Sequence, residues 1–237
     1  ERRDPVTDVV ATRAAAASVE DAIRAANAAA AAFPYWSTVS PEERSRILIK
    51  AADVLRSRLP DFVEAMAEEI GASEVWANFN CQLAENILRD AAERTNISME
   101  TEVPSAHPGV TAMTVRQPAG VVLGIAPWNA PVVLAVRAVA VPLACGNTAI
   151  LKASELCPRT HSLIVEIFSE AGLPDGVLNL ITNAPEKAAE IVEALIAHEA
   201  VRRVNFTGST RVGRDVATQC ARHLKPCLLE LSGKAPL

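Results

Sequence analysis

The sequence lacks the features that mark membrane, secreted and nucleic-acid-binding proteins. No apolar run reaches the length of a membrane span, and the stretch 132–143 is interrupted by Arg137 and Pro142. No segment resembles a signal peptide. Basic residues form no block and the formal net charge is -5. We therefore expect neither a membrane nor a nucleic acid as a partner.

Metal-binding and disulfide patterns are also missing. The chain has five cysteines, an odd number, and no C-x-x-C spacing, which argues against a disulfide framework and against a zinc site. The four histidines lie in dissimilar contexts and suggest no metal cluster. These patterns predict a protein of a reducing compartment, the cytoplasm, with no metal.

The first hundred residues have the pattern of packed helices. Half of the chain is hydrophobic, which is enough for a substantial core. Ser18 with Asp21, and Ser40 with Glu43, have the spacing of capping boxes, and both precede apolar residues at helical intervals. Gly71 is a plausible end for the second helix, and Ser73 begins a third that carries Trp76, Leu83, Ile87 and Ala91.

Residues 99–118 change to the pattern of a β-hairpin. Pro104, Pro108 and Gly109 surround a turn, and apolar residues then alternate through Met113 and Val115. Because a two-stranded hairpin is only marginally stable alone in water, we expect this arm to pair with another part of the protein or with another subunit.

The second half alternates strands and helices. The predicted strands are 121–125, 148–151, 177–181, 203–207 and 227–231, and the helices between them are 131–143, 158–171, 186–197 and 210–220. This order predicts an α/β fold, a Rossmann-like, doubly wound parallel sheet with helices on both faces. Ligands of such sheets bind at the carboxyl ends of the strands.

An anion site is predicted where the fourth strand meets the fourth helix. Gly208 and Ser209 form the turn, and Val212, Val216 and Cys220 then follow at helical spacing. The free N–H groups and the positive end of a helix dipole favour a pyrophosphate there. The pattern is not the usual G-x-G-x-x-G fingerprint, and a turn that needs glycine for its backbone angles is the alternative.

Polar residues follow the other strand ends. Lys152 and Glu155 can hold a ribose, and the carboxylate would repel a 2′-phosphate, which favours NAD over NADP; an ordinary loop ion pair is the alternative. Asn129, in a turn stiffened by prolines, is a candidate oxyanion donor or a turn cap. Glu230, among leucines, is a candidate base with a raised pKa, or an exposed strand end.

Four motifs together resemble the NAD(P)-dependent aldehyde dehydrogenase superfamily over essentially the whole chain. They are Ala126-Pro127-Trp128-Asn129, Leu151-Lys152-Ala153-Ser154-Glu155, Phe206-Thr207-Gly208-Ser209-Thr210 and Glu230-Leu231-Ser232-Gly233-Lys234. The sequences of residues 115–125, 142–147 and 221–226 resemble those of a narrower group, the salicylaldehyde dehydrogenases of bacterial naphthalene breakdown. Ser232 stands where the superfamily pattern usually has glycine.

The resemblance implies a set of roles and an organisation. Asn129 would donate to the oxyanion and Glu230 would activate the hydrolytic water. The cofactor, NAD, would be contacted by Ile125, Trp128, Lys152, Glu155, Pro185, Gly208, Ser209, Val212 and Leu231. Residues 1–100 would form the helical part of the cofactor domain, 101–118 an arm that joins subunits into a homodimer or homotetramer, and 119–237 the NAD-binding domain.

The resemblance also implies that the nucleophilic cysteine lies beyond Leu237. Cys227 is nearest to Glu230, but three residues along a strand their side chains point to opposite faces, which argues against it. The implied reaction is oxidation of an aromatic aldehyde such as salicylaldehyde. Trp76 and Arg137 are candidates to contact the substrate, with core packing and a surface cation as the alternatives. A non-catalytic nucleotide-binding or subunit-interaction module remains the second hypothesis if the chain is complete.

Overall fold

The computed structural model describes residues 1–96 and 100–234. The amino-terminal elements are β1 (Arg2–Arg3), β2 (Val10–Thr12), α1 (Val19–Trp36), α2 (Pro41–Ser57), α3 (Leu59–Ile70) and α4 (Glu74–Arg94). An arm follows, made of β3 (Glu100–Val103) and β4 (Ala112–Val115). The remaining elements are β5 (Val121–Ile125), α5 (Pro131–Ala144), β6 (Thr148–Lys152), α6 (Pro158–Glu170), β7 (Leu178–Ile181), α7 (Ala188–Ala197), β8 (Val201–Gly208), α8 (Thr210–Arg222) and β9 (Cys227–Leu231).

The helix starts follow the capping residues. Ser18 and Asp21 form a reciprocal capping box at α1, as predicted. At α2 only half of the predicted box forms: Ser40 Oγ accepts from the Glu43 backbone, while the Glu43 carboxylate binds Arg46 instead. An arginine one turn along thus competes successfully for the carboxylate that would have closed the box.

The single helix expected between Pro41 and Gly71 is two helices. The chain breaks at Arg58, which ends α2 and precedes α3. Pro60 explains the break, because proline lacks the N–H that would bond back to the preceding turn and its ring clashes with that turn. Gly71 ends α3 in the left-handed conformation, with φ at 66°, as predicted.

Helix α4 buries Ala91 and packs Ile87 against the core, as predicted, but its most buried face is formed mainly by small residues and does not include Trp76. Ala77, Ala84 and Ala91 are fully buried, whereas Trp76 is 41% exposed. The helix packs against α2, α3 and α5, and small side chains allow the close approach that this position requires.

The central sheet is parallel, with strand order β7-β6-β5-β8-β9. One core cluster joins it to α5 and α6, with α2, α3 and α4 packed outside them. A second cluster joins the opposite face to α1, α7 and α8. Helices therefore cover both faces, and the predicted doubly wound fold is confirmed; β5 and β6 are buried along their whole length for this reason.

The arm is an antiparallel hairpin, as predicted from the alternation in residues 99–118. Its register runs from the Glu100–Val115 pair to the Val103–Ala112 pair. Met99, where the prediction began, lies outside the described residues. The amino-terminal pair β1–β2 was not predicted; its strands are too short for an alternating pattern, and a hydrogen bond from Arg2 Nε to the Glu69 carbonyl oxygen, 2.6 Å, ties it to α3.

Within residues 1–96 and 100–234, no helix combines the length and the apolar composition that crossing a membrane would require.

Candidate functional site

The predicted site residues converge on the carboxyl edge of the sheet. Ile125, the last residue of β5, is in register with Lys152 on one side and Phe206 on the other. At the edge strand, Gly208 is in register with Leu231. The strand order reverses between β5 and β8, and in open α/β sheets a ligand-binding crevice forms at such a point. The loops after β5 and β8, which carry Asn129 and Ser209, both begin there.

The two sides of the sheet divide these residues into two groups. Ile125, Lys152 and Leu231 point toward the side covered by α1, α7 and α8. Thr207 and Glu230, which are in register on β8 and β9, point to the side of α5. Three candidate cofactor residues thus lie on one side of the sheet, and the candidate base Glu230 lies on the other.

Lys152 and Glu155 form a partly buried pair. The Lys152 ammonium donates to Glu155 Oε1, and the side chains are 6% and 22% exposed. Burial would raise the pKa of Glu155, but the ammonium of Lys152 and hydrogen bonds to the carboxylate outweigh it, so its pKa lies below the usual value. The carboxylate is therefore ionised at neutral pH and partly open to a ligand.

A cleft of about 260 Å³ opens beside this pair. Its wall includes Glu155, Asn183, Pro185 and the amino-terminal residues Ala14–Ala16. The predicted adenine residue Pro185 is exposed at its edge, in a short 3-10 turn before α7. The cleft and the Lys152–Glu155 pair together give a polar recess at the strand ends.

The predicted anion site lies at the first turn of α8. Ser209 is the N-cap, and its Oγ accepts from the Val212 N–H at 3.3 Å. Other N–H groups of a first helical turn have no partner within the helix and can meet an anion. Gly208 is not in the positive-φ region, so the backbone-angle alternative is wrong; a Cβ there would come 2.6 Å from the Phe206 ring.

Helix α8 also packs closely on β9. A Cβ on Gly213 would lie 2.4 Å from Leu231 Cδ2. The glycine lets the helix approach the strand and so places its first turn beside Leu231, the residue expected to face the nicotinamide.

Asn129 lies in an exposed turn that is hydrogen-bonded to a tryptophan of α4. Trp76 Nε1 donates to the Asn129 carbonyl oxygen at 3.1 Å. The Trp76 ring stacks on Phe79, with centroids 5.6 Å apart, and Trp128 is also half exposed beside Asn129 in the chain. Trp76 is thus not core packing, since it reaches the rim from α4 and brings an aromatic surface there.

Arg137 and Glu230 occupy the α5 side of the edge strands. Arg137 donates through a terminal guanidinium nitrogen to Thr207 Oγ1 at 3.1 Å. Glu230 is exposed and shares its side of β9 with Leu228, which is 68% exposed. The expected burial of Glu230 among leucines is therefore wrong, because alternation along β9 turns the partly buried Leu229 and Leu231 toward the core and leaves Glu230 exposed.

The cysteines of the chain do not offer a nucleophile. Burial raises the pKa of Cys81 to about 12 and that of Cys220 to about 11. It also raises the pKa of Cys157 and Cys145. Cys227 packs against the core on the side of β9 opposite to Glu230. Because the thiolate is the nucleophile, thiols that stay protonated near neutral pH are poorly reactive.

Among residues 1–96 and 100–234, no group of three or more histidine, cysteine or acidic side chains is placed to hold a metal ion.

Two buried polar residues at the rim were not anticipated. Asn183 follows β7, and His161 lies in α6, where its Nδ1 accepts from the Ser154 N–H at 3.1 Å and its Nε2 lies 3.7 Å from Cys157 Sγ. Asn183 could have been found by the same rule as Lys152, since it comes two residues after a strand. Nothing local singles out His161.

A family profile matches the whole chain, residues 1–237, and its description is the aldehyde dehydrogenase family. The chain belongs to the aldehyde dehydrogenase family. A vanillin dehydrogenase of Pseudomonas fluorescens is 59% identical over 237 residues, which are 100% of this chain and 49% of that protein. The chain thus spans about half the length of the curated relatives it matches.

Solved structures agree with this assignment. The crystal structure of a salicylaldehyde dehydrogenase from Pseudomonas putida G7, complexed with salicylaldehyde, matches with a TM-score of 0.98 and 50% identity, over 100% of this chain and 49% of that one. An NAD-dependent benzaldehyde dehydrogenase from Corynebacterium glutamicum matches with a TM-score of 0.94 and 34% identity, over 99% and 51%. The similarity to salicylaldehyde dehydrogenases is confirmed, and the vanillin enzyme extends it to a second hydroxybenzaldehyde.

Proposed function

We propose that residues 1–237 form the cofactor-binding part of an enzyme that oxidises an aromatic aldehyde to its carboxylic acid with NAD. The balanced reaction consumes aldehyde, NAD and water and yields acid and NADH. The observation that carries the proposal is the convergence at one rim of a fixed acid–ammonium pair, a helix amino terminus and an accessible asparagine, in a member of this family.

The residues present fit a nicotinamide dinucleotide. The ionised Glu155 and Lys152 suit the adenosine ribose, and Gly208, Ser209 and the α8 amino terminus suit the pyrophosphate. Pro185 and Val212 would flank the adenine, while Ile125, Trp128 and Leu231 would line the path to the nicotinamide. NAD, when bound, supplies the hydride acceptor. The ionised state of Glu155 supports NAD over NADP, since its charge would repel a 2′-phosphate.

Catalytic roles fall to residues on the α5 side of the rim. The Asn129 amide would donate to the oxyanion that develops on the aldehyde oxygen, a contact typically worth roughly 100- to 1000-fold in rate. Glu230 would take a proton from the hydrolytic water. The nucleophile would be a cysteine outside residues 1–237, and Leu228 and Glu230 leave an open face on β9 against which further protein could pack.

The substrate we propose is a hydroxylated benzaldehyde, such as vanillin or salicylaldehyde. Two of the relatives are named for these aldehydes, and both compounds carry a phenolic oxygen on an aromatic ring. Trp76 offers an aromatic surface beside Asn129, and Arg137 offers a cation near Thr207 that could meet the phenolic oxygen. We further propose a cytoplasmic location, which the free thiols support, and subunit association through the arm.

The test is NADH formation by the full-length protein that contains residues 1–237, with vanillin, salicylaldehyde, benzaldehyde and acetaldehyde as substrates. We expect the hydroxybenzaldehydes to have the highest kcat/KM, and Asn129→Ala to lower kcat by at least two orders of magnitude. Arg137→Ala should reduce the preference for salicylaldehyde over benzaldehyde. Residues 1–237 alone, with the thiols described above, should bind NAD without turnover. Absence of aldehyde-dependent NADH from the full-length protein would exclude the proposal.

A further inference from the structure

Asn183 reaches across the rim to the carboxylate of Glu155. Its Nδ2 donates to Glu155 Oε1 at 2.9 Å and to the Ala184 carbonyl oxygen at 2.8 Å. The residue is 8% exposed, and it lies outside the motifs that carry the family resemblance. Because this buried amide donates to Glu155, it restricts the orientation of the Glu155 carboxylate.

Two hydrogen-bond donors fix the orientation of the Glu155 carboxylate. Lys152 donates to the same oxygen, Oε1, so two donors from two different strand ends hold one oxygen of Glu155. A lysine has a long flexible stem and can follow a carboxylate that rotates. An asparagine has a short side chain and cannot follow, so its hydrogen bond is lost if Glu155 turns away.

The loop that carries Asn183 is itself anchored. Thr182 Oγ1 donates to the Ala15 carbonyl oxygen at 2.7 Å, and the Ala17 N–H donates to the Thr182 carbonyl oxygen at 3.0 Å. The segment before α1 therefore holds the end of β7 in place, and the donor that faces Glu155 is positioned by contacts independent of Glu155.

We propose that Asn183 is a positioning residue that keeps the Glu155 carboxylate turned toward the adenosine ribose and thereby sets the preference for NAD over NADP. The inference rests on the proposed function, which makes Glu155 part of the cofactor site. To admit a 2′-phosphate, Glu155 must swing away so that its charge no longer opposes the phosphate. The hydrogen bond from Asn183 has to break in that movement, whereas Lys152 is free to pair with the incoming phosphate.

The experiment measures the dissociation constants of NAD and of NADP by calorimetry on the full-length protein without aldehyde. In Asn183→Ala, the ratio of the NADP constant to the NAD constant should fall roughly ten-fold, because a hydrogen bond to a charged group contributes about that factor. Asn179→Ala is the matched control, since Asn179 lies on β7, the strand just before Asn183, and its Nδ2 donates to the Gly176 carbonyl oxygen, away from Glu155. It should leave the ratio at the wild-type value.

A double-mutant cycle separates positioning from general destabilisation. If Asn183 acts through Glu155, adding Asn183→Ala to Glu155→Gln should leave the ratio of the Glu155→Gln variant unchanged. Asn183→Ser, which removes the amide that donates to Glu155 but keeps a polar side chain, replaces the alanine variant if that one does not fold. A wild-type ratio in a folded Asn183 variant overturns the inference alone. A wild-type protein that binds neither dinucleotide overturns the proposed function as well.

Discussion

His161 is a buried histidine that connects helix α6 to the loop that carries Glu155. Its imidazole is fully buried, it receives the Ser154 N–H of the loop that carries Glu155, and it lies in the helix that follows that loop. Burial, and secondarily the ammonium of Lys152, lower the pKa of His161 to about 4, against a smaller opposing effect of the Pro131 backbone. The ring is therefore neutral at physiological pH and serves as a hydrogen-bond acceptor.

This burial predicts a pH dependence of stability. The unfolded chain binds a proton on His161 near pH 6.5, but the folded chain does so only near pH 4, so acidification across this window favours unfolding. The loss of unfolding free energy should reach up to about 3 kcal/mol for the full window. Denaturant unfolding at a series of pH values would measure it.

His161→Gln should make the same profile flatter between pH 6.5 and pH 4, since glutamine does not titrate. The exposed His107, in the turn of the arm, provides the control variant His107→Gln. A His161→Gln profile that runs parallel to the wild-type profile would contradict the prediction.

At the scale of elements, the close contact between β5 and α5 determines where the Asn129 turn lies. A Cβ on Gly124 would come 2.9 Å from Ala138 Cβ, which is shorter than side chains tolerate and involves an atom that cannot rotate away. The glycine in this buried strand therefore serves packing, and it lets the helix that follows Asn129 approach the sheet.

Gly124→Ala should consequently lower the unfolding free energy by about 1–3 kcal/mol, the usual cost of overpacking a core. Ala138→Gly in the same protein should recover part of the loss, less the roughly 1 kcal/mol that glycine costs inside a helix. Thermal or denaturant unfolding would give both values. Gly233→Ala, where a Cβ would meet nothing within 4 Å, should change stability little. Equal stability of the wild-type and Gly124→Ala proteins would show that the two elements can move apart.

For the molecule as a whole, the arm is the segment least supported by the rest of the chain. Its two strands pair only with each other among the described residues, and Met113 and Val115 are 54% and 49% exposed on one side of β4. A two-stranded hairpin is marginal in water, and exposed apolar residues at alternate positions are suited to an interface. This geometry supports the proposal that arms join copies of the protein.

Changing Met113 and Val115 together to glutamate should therefore dissociate the full-length protein, because two charges would have to be buried at the interface. Light scattering after size-exclusion chromatography should show a dimer or tetramer for the wild type and a smaller particle for the variant. Thr114→Glu, on the opposite side of the strand, should keep the wild-type mass. A monomeric wild type, or a double variant of unchanged mass, would argue against association through the arm.

The sequence by itself determined the order of strands and helices, most of the caps and the group of residues at the carboxyl edge of the sheet. Hydrophobic periodicity, capping spacing and glycine positions act over a few residues, and the order β-α-β then restricts the topology. The strand β9, for example, was predicted with its observed bounds, Cys227–Leu231. The prediction of a single helix between Pro41 and Gly71 was wrong, although Pro60 is a local signal in the sequence that indicates a break there.

Only the tertiary structure decided which side of the rim each residue faces and which groups hold it there. The exposure of Glu230, the contact of Trp76 with Asn129 and the hydrogen bond from Asn183 to Glu155 join residues of different elements. Such contacts depend on how helices and loops pack against a shared sheet. Their energies come from burial and from hydrogen-bond geometry between segments far apart in the chain, which no short window of residues contains.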